Sequence, residues 1–83
     1  AIGCRVEVEK MIATGRIDMV VETTNIIYVL ELKLSNNGGI DAATEQIRAK
    51  QYIEPFKADK RKVIALAIEL DDKGKGLVDW KEV

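Results

Sequence analysis

The sequence predicts an α/β domain with a mixed β-sheet and the element order β-β-β-α-β-β. Three observations lead to this: three strand-like segments follow one another with short turn signals between them, one amphipathic helical segment comes next, and an almost unbroken apolar segment follows it. A strand, a helix and a further strand in succession normally form a parallel, right-handed unit. The 83 residues are enough for one domain and no more.

The first half of the chain predicts an antiparallel meander. Residues 5–12 alternate between polar and apolar side chains, which is the period of a half-buried strand. Thr14-Gly15 is a turn signal, and residues 16–23 form the second predicted strand. Thr24-Asn25 is a second turn, because Asn tolerates a positive φ, and residues 26–34 form a longer third strand.

The second half predicts one helix and two further strands. Residues 35–39 form a loop, and Asp41 is a good N-cap for a helix that runs to Glu54 or Phe56. Its predicted buried side contains Ala42, Ala43, Ile47, Ala49, Ile53 and Phe56. Residues 63–70 predict a strand covered on both faces, and residues 77–83 predict a short edge strand. One helix cannot cover both faces, so we expect further cover from an N-terminal helix or a partner subunit.

Composition excludes several classes of site. The chain has no His, so it cannot build a Ser-His-Asp triad, a Cys-His dyad or a His-containing zinc site. Its one cysteine, Cys4, excludes an internal disulfide and fits a reducing cytoplasm; we expect it to be a small buried hydrophobe rather than a nucleophile. No apolar run is long enough to span a membrane. The net charge of −1 predicts that any nucleic acid is bound through a local patch or with help from another domain.

The turns also predict which residues face each other. A two-residue loop at Thr24-Asn25 places Asp18 directly across from Glu31 and Arg16 across from Lys33, on one face of the sheet. With Thr14-Gly15 as the first loop, the opposite face is apolar along its length, and we predict that it is the core face. Its members are Val6, Val8, Ile12, Ile17, Met19, Val21, Ile26, Tyr28, Leu30, Leu32 and Leu34.

Two opposed carboxylates suggest a cation site. Asp18 and Glu31 should repel each other, and a divalent cation relieves the repulsion because carboxylate oxygens are the ligands that Mg²⁺ and Mn²⁺ prefer. Lys33 can hold a water molecule or neutralise a developing oxyanion, so the set contains the parts needed to cut a phosphodiester. The alternative is a surface cluster without function, in which Lys33 and Arg16 neutralise the two carboxylates. The spacing alone leaves both interpretations open.

At these residues the chain resembles a known family. The resembling segments are Gly15-Arg16-Ile17-Asp18 with Val21-Glu22-Thr23, residues 28–34 (YVLELKL), residues 46–52 (QIRAKQY) and residues 77–81 (LVDWK). They are similar to the PD-(D/E)xK nuclease superfamily, whose fold is restriction-endonuclease-like. Within it, they resemble the C-terminal nuclease-like domain of bacterial AAA-ATPase-like proteins.

The resemblance implies roles for individual residues. Asp18, Glu31 and Lys33 would be catalytic, with Gln46 near the site. Asp18 and Glu31 would bind Mg²⁺ or Mn²⁺, and the Leu32 carbonyl would be a further ligand. The candidates for contact with substrate are Arg16, Lys50 and Tyr52, although Tyr52 can instead pack inside with a satisfied hydroxyl.

The resemblance also implies partners and an incomplete core. The implied partners are nucleic acid, with DNA favoured, and an ATPase-like domain of the same protein; no membrane is implied. The need for further cover on residues 63–70 leaves a homodimer open as well. The chain begins at Ala1 without the N-terminal helix of the family core, so we expect residues 1–83 to be one nuclease-like domain from a longer protein. Such a piece can be inactive alone, although Glu7 or Glu9 could replace the missing acidic ligand.

Two other functions stay open. The first is a non-catalytic nuclease-like module that binds or regulates beside an ATPase domain, which the near-neutral charge favours. The second is a plain α/β scaffold that dimerises through the edge strand at residues 77–83.

Overall fold

The computed structural model describes residues 3–73 and 75–83, so Ala1, Ile2 and Gly74 lie outside the described part. It confirms the predicted order of elements. The elements are β1 (Arg5–Ile12), β2 (Gly15–Glu22), β3 (Ile26–Leu34), α1 (Gly39–Ala49), β4 (Lys62–Leu70) and β5 (Leu77–Glu82), with short 3₁₀ helices at Ser35–Asn37 and Glu54–Phe56.

The strands form one mixed sheet in the order β1-β2-β3-β4-β5. The first three strands are an antiparallel meander, and α1 connects β3 to the parallel strand β4. The second hairpin has the predicted two-residue loop: the Thr23 N–H donates to the Ile26 carbonyl at 2.8 Å, and the Ile26 N–H donates to the Thr23 hydroxyl at 2.9 Å. β5 pairs with β4 at the edge of the sheet, as predicted, and its side chains are exposed.

The first hairpin differs from the prediction by its loop. Ile12 pairs with Gly15, so the loop is Ala13-Thr14 rather than Thr14-Gly15. The Thr14 hydroxyl is used to donate to the carbonyl of Lys50, which ties this loop to the end of α1. The register moves by two residues, and therefore the same residues still share a face.

The helix begins earlier than predicted. Gly38 and Gly39 have φ angles of +95° and +57°, which allows the chain to enter α1 at Gly39 and leaves Asp41 inside the first turn instead of at the N-cap. A side chain from β4 provides the cap, because Glu69 Oε1 accepts the Ile40 N–H at 2.9 Å and Glu69 Oε2 accepts the Ser35 hydroxyl at 2.5 Å. Sequence spacing could not reveal a cap that is supplied from β4.

The helix also ends earlier than predicted, at Ala49. Gln51 has a φ of +51°, its N–H donates to the Arg48 carbonyl, and the Tyr52 N–H donates to the Ile47 carbonyl. This is a Schellman motif with Gln in the position that Gly usually takes, so the usual stop signal is missing from the sequence. The motif turns the chain sharply and directs Tyr52 into the core, where it has no exposed surface.

The prediction of the core face is wrong. The helix packs against β3 and β4 on the face that carries the carboxylates, and of the predicted core face only Ile17 is fully buried, whereas Val6 and Val8 are exposed. The buried apolar cluster is Ile17, Val20, Ile27, Val29, Ala43, Ile47, Tyr52, Ala65 and Ala67. The reason is shape: Ala65 and Ala67 form a low surface on β4 against which Ala43 of the helix fits closely.

Other predicted burials need correction. Ala49 is exposed and Ala42 is only partly buried, while Thr44 joins the buried side of α1. Cys4 is free and exposed just before β1, so it is not a buried hydrophobe. β4 is covered by α1 on one face, and its other face is partly exposed in the described chain. Within residues 3–73 and 75–83, none of the helices has the length and apolar character to cross a membrane.

Candidate functional site

A cleft of about 460 Å³ lies where β2 separates from β3, beside the helix. It brings together the acidic pair, the lysine and the helix glutamine that the sequence predicted. Its lining is Met11, Gly15, Arg16, Asp18, Glu31, Leu32, Lys33 and Gln46.

Asp18 is held at the point where the β2–β3 ladder stops. The ladder runs from Glu22–Ile27 to Met19–Leu30 in the predicted register, and its continuation places Asp18 opposite Glu31. The Leu32 N–H donates to Asp18 Oδ2 at 2.9 Å rather than to a main-chain carbonyl. This bond uses Oδ2 and fixes the position of Asp18 at the cleft. The predicted pairing of Arg16 with Lys33 does not form, because the β2–β3 ladder ends at Met19–Leu30, before it reaches these residues.

Glu31 is a buried carboxylate with an unused oxygen. Only 1% of the residue is exposed, since α1 covers its face of β3. Of all the fully buried side-chain nitrogens and oxygens in residues 3–73 and 75–83, only Glu31 Oε1 has no hydrogen-bond partner. The other oxygen, Oε2, lies 3.7 Å from Lys33 Nζ. An unpartnered carboxylate oxygen in the interior is costly, so a ligand that supplies a positive charge would be favoured there.

The surroundings raise the pKa of Glu31 from 4.5 to about 7. Burial is the largest cause, and repulsion by Asp18 adds to it, while the Tyr52 hydroxyl and then Lys33 act in the opposite direction. The lysine therefore offsets only part of the cost of burying this carboxylate.

Gln46 reaches the cleft from α1 and is held by Tyr52. Gln46 Nε2 donates to the Tyr52 hydroxyl at 2.8 Å, and this hydroxyl donates to the carbonyl of Arg16 at 2.7 Å. Tyr52 is fully buried, so it has no surface with which to touch a substrate here. Packing with a satisfied hydroxyl, the alternative considered from the sequence, is what the structure shows.

The two basic candidates for substrate contact lie at the rim. The Arg16 side chain is 55% exposed and its guanidinium is 3.4 Å from Glu9. Lys50 is exposed, and its side chain crosses Gly15 closely, since a Cβ at Gly15 would be 3.6 Å from Lys50 Cδ. Glu7 forms an ion pair with Lys10 at 3.4 Å. Among the described residues, neither Glu7 nor Glu9 lines the cleft, so neither is placed to serve as a replacement ligand.

The donor set fits a hard divalent cation but is small. In the described residues no group of three or more His, Cys, Asp or Glu side chains is placed to hold a metal ion. Asp18 and Glu31 supply two carboxylates at one cleft, and the buried oxygen of Glu31 has no other partner. Mg²⁺ and Mn²⁺ accept such an incomplete protein set, because water and substrate phosphate oxygens commonly complete their octahedron.

A comparison with protein families decides the classification. A family model described as the PD-(D/E)XK nuclease superfamily matches residues 2–80 of the chain. The chain belongs to the PD-(D/E)XK nuclease superfamily. Its sheet and single helix agree with a restriction-endonuclease-like α/β fold. No curated protein and no solved structure matches the chain.

Two residues of this PD-(D/E)XK cleft were missed from the sequence. Met11 is 73% exposed and lines the cleft although it lies in an alternating strand, where its position gave no signal. Gly15 lines it too, although the sequence predicts it only as a turn residue and as the first residue of the Gly15–Asp18 motif, with no role in a cleft. Its φ of +155° explains why the position holds Gly.

Proposed function

We propose that this protein hydrolyses phosphodiester bonds of nucleic acid, with DNA as the favoured substrate and Mg²⁺ or Mn²⁺ as the cofactor. The observation that carries the proposal is the shared cleft of Asp18, Glu31 and Lys33, in which a buried oxygen of Glu31 has no partner. Asp18, Glu31 and the Leu32 carbonyl are the proposed metal ligands.

The interpretation as a functionless surface cluster fits less well. It requires Arg16 and Lys33 to neutralise two exposed carboxylates. Glu31 is buried, however, and the Arg16 guanidinium pairs with Glu9. Burying a carboxylate without full compensation reduces stability, so we infer that binding a cation is the reason for its position.

The residues would divide the chemistry between them. A bound divalent cation lowers the pKa of a water ligand and stabilises the negative charge that develops on the phosphate. Asp18, held by the Leu32 N–H, and Glu31, held by its burial in β3, fix where the cation binds. Lys33 is partly exposed beside Glu31, and its ammonium would orient the attacking water or stabilise the transition state. Arg16 and Lys50 at the rim would bind backbone phosphates.

The wider context belongs to the same proposal. The single cysteine suggests a cytoplasmic protein, and the resemblance in sequence suggests that this domain is attached to an ATPase-like domain. The partly exposed face of β4 leaves a homodimer open. We infer that residues 1–83 are one nuclease-like domain of that protein. Light scattering of the purified chain at several concentrations would test the homodimer, since a constant monomer mass would exclude it.

The test is cleavage of supercoiled DNA with Mn²⁺ or Mg²⁺. Asp18→Asn and Lys33→Met remove a charge with little change of shape, and we expect each to lower the rate by at least about 100-fold. Glu45→Gln and Lys60→Met are the matched controls, because both residues are exposed and lie outside the cleft lining, and they should cleave like the wild type. Equal rates for all five proteins would identify a contaminant and refute the enzyme proposal.

A binding or regulatory module is the second candidate. The net charge of −1 and the small set of carboxylate ligands favour it. This candidate predicts that DNA is bound without being cut in the presence of either metal. It also predicts that Asp18→Asn binds DNA at least as well as the wild type, whereas Arg16→Ala and Lys50→Ala weaken binding.

A further inference from the structure

We propose that Tyr52 is a positioning residue that orients Gln46 so that its amide oxygen faces the reaction cleft. This inference rests on the proposed nuclease function, because it assigns Gln46 a task at that cleft. Tyr52 has no exposed surface, so it acts through the groups around its hydroxyl, which are the Gln46 amide, the Arg16 carbonyl and the Glu31 carboxylate.

The direction of each hydrogen bond follows from the donors that are present. The Arg16 carbonyl can only accept, so the single proton of the Tyr52 hydroxyl must be donated to it, over 2.7 Å. The hydroxyl oxygen can then only accept from Gln46, and the 2.8 Å contact must involve the amide nitrogen Nε2. The chain of bonds thereby fixes which end of the amide points away from the cleft.

The consequence is an acceptor in a defined place. Gln46 lines the cleft with Asp18, Glu31 and Lys33, and with Nε2 committed to Tyr52 its Oε1 is the end left for a ligand. An amide oxygen at this position can accept a hydrogen bond from the attacking water. If the amide were free to turn over, it would present N–H donors in half of its orientations, and the water would be misdirected.

The fold supports Tyr52 from two sides. Tyr52 follows Gln46 by six residues and belongs to the Schellman motif at the end of α1. In this motif the Tyr52 N–H donates to the Ile47 carbonyl, which holds Tyr52 in place. The link joins α1 to β2 at Arg16, two residues before Asp18.

The first experiment is kinetic and uses Tyr52→Phe, which removes only the hydroxyl. We expect the kcat for DNA cleavage to fall about tenfold, while the KM and the affinity for Mn²⁺ change less than twofold. The double variant with Tyr52→Phe and Gln46→Ala should be no slower than Gln46→Ala alone, because both substitutions disrupt the same hydrogen-bonded pair. Tyr28→Phe is the matched control, since Tyr28 lies outside the cleft lining, and it should leave kcat unchanged. Additive effects, or an unchanged kcat in Tyr52→Phe, would overturn the proposal.

The second experiment does not depend on activity. The chain has two glutamines, Gln46 and Gln51, so a ¹⁵N NMR spectrum contains two pairs of glutamine side-chain amide signals. In the wild type we expect the Gln46 pair to be shifted from random-coil positions and to exchange slowly with solvent. Tyr52→Phe should move this pair toward the exposed Gln51 pair. If the wild-type protein fails to cut DNA, the proposed nuclease function is wrong, and the NMR signals alone then test the Tyr52 proposal. Gln46 signals that do not change in Tyr52→Phe would refute the Tyr52 proposal.

Discussion

At the scale of single residues, the site depends on Glu31, whose buried carboxylate shares a cleft with Asp18 and Lys33. The two-residue turn at Thr24-Asn25 was enough to set the β2–β3 register and so to bring Asp18 and Glu31 together. The burial of Glu31 could not be predicted, because it depends on which face of the sheet the helix covers. The polar link from Gln46 to Tyr52 was also beyond sequence reasoning, since it depends on a helix end that has no glycine signal.

Glu31 should make the metal-free protein less stable at higher pH. Its pKa is about 7 in the folded protein against 4.5 for an unperturbed glutamate, so the folded state holds more protons between these values. The free energy of unfolding therefore falls as the pH rises from 4.5 to 7, by up to roughly 3 kcal/mol, and levels off above that range.

Urea unfolding in EDTA at pH 5 and pH 8 measures this effect. Glu31→Gln should largely remove the loss between the two pH values and should be more stable than the wild type at pH 8. Glu45→Gln, on the exposed side of α1, should keep the wild-type dependence on pH. A Glu31→Gln protein with the full wild-type pH dependence would show that Glu31 is ionised normally.

At the scale of elements, strands were predicted more accurately than the helix. Alternation and turn residues gave the bounds of β1 and β3, and the apolar run gave β4 to within one residue. The helix was misplaced at both ends, because its N-terminal cap comes from Glu69 on β4 and its C-terminal motif uses Gln51. A helix cap that comes from a residue distant along the chain leaves no local sequence pattern to detect.

Gly39→Ala should destabilise the fold at the start of α1. Gly39 has a φ of +57°, and a Cβ there would lie 2.5 Å from Glu69 Oε1 and so press on the carboxylate that caps the helix. We expect a loss of roughly 1–3 kcal/mol in the free energy of unfolding. In a Glu69→Ala background only the strain of the positive φ remains, so Gly39→Ala should cost less there. An equal cost in both backgrounds, from urea titrations, would show that the carboxylate contact has no effect.

At the scale of the whole molecule, the topology could be predicted and the choice of face could not. The succession β3-α1-β4 required a parallel pair, and the sheet order confirms it. Both faces of β4 are apolar, however, so the pattern gave no preference for either. In the structure α1 lies against the face with Ala65 and Ala67, and the face with Ile64, Leu66 and Ile68 is partly exposed. A row of small residues is the signal that could have decided between them.

This architecture predicts how hydrogen exchange should vary across the sheet. β3 and β4 are paired on both sides and lie under α1, whereas β5 is an edge strand with exposed side chains. The amides of Ile27, Val29 and Ala65 should therefore exchange slowest, and those of the two edge strands, β1 and β5, should exchange faster. Exchange followed by NMR would contradict this account if β5 were protected as strongly as β3.

The central claim is that Asp18 and Glu31 form one binding site for a divalent cation. The most direct measurement is titration of the chain with Mn²⁺, followed by electron paramagnetic resonance of the free ion, for the wild type, Asp18→Asn, Glu31→Gln and Glu45→Gln. We predict one site in the wild type and in Glu45→Gln, and a loss of affinity of at least about tenfold in each of the other two variants. Mn²⁺ binding that is absent from the wild type, or that is unchanged in Glu31→Gln, would contradict the claim.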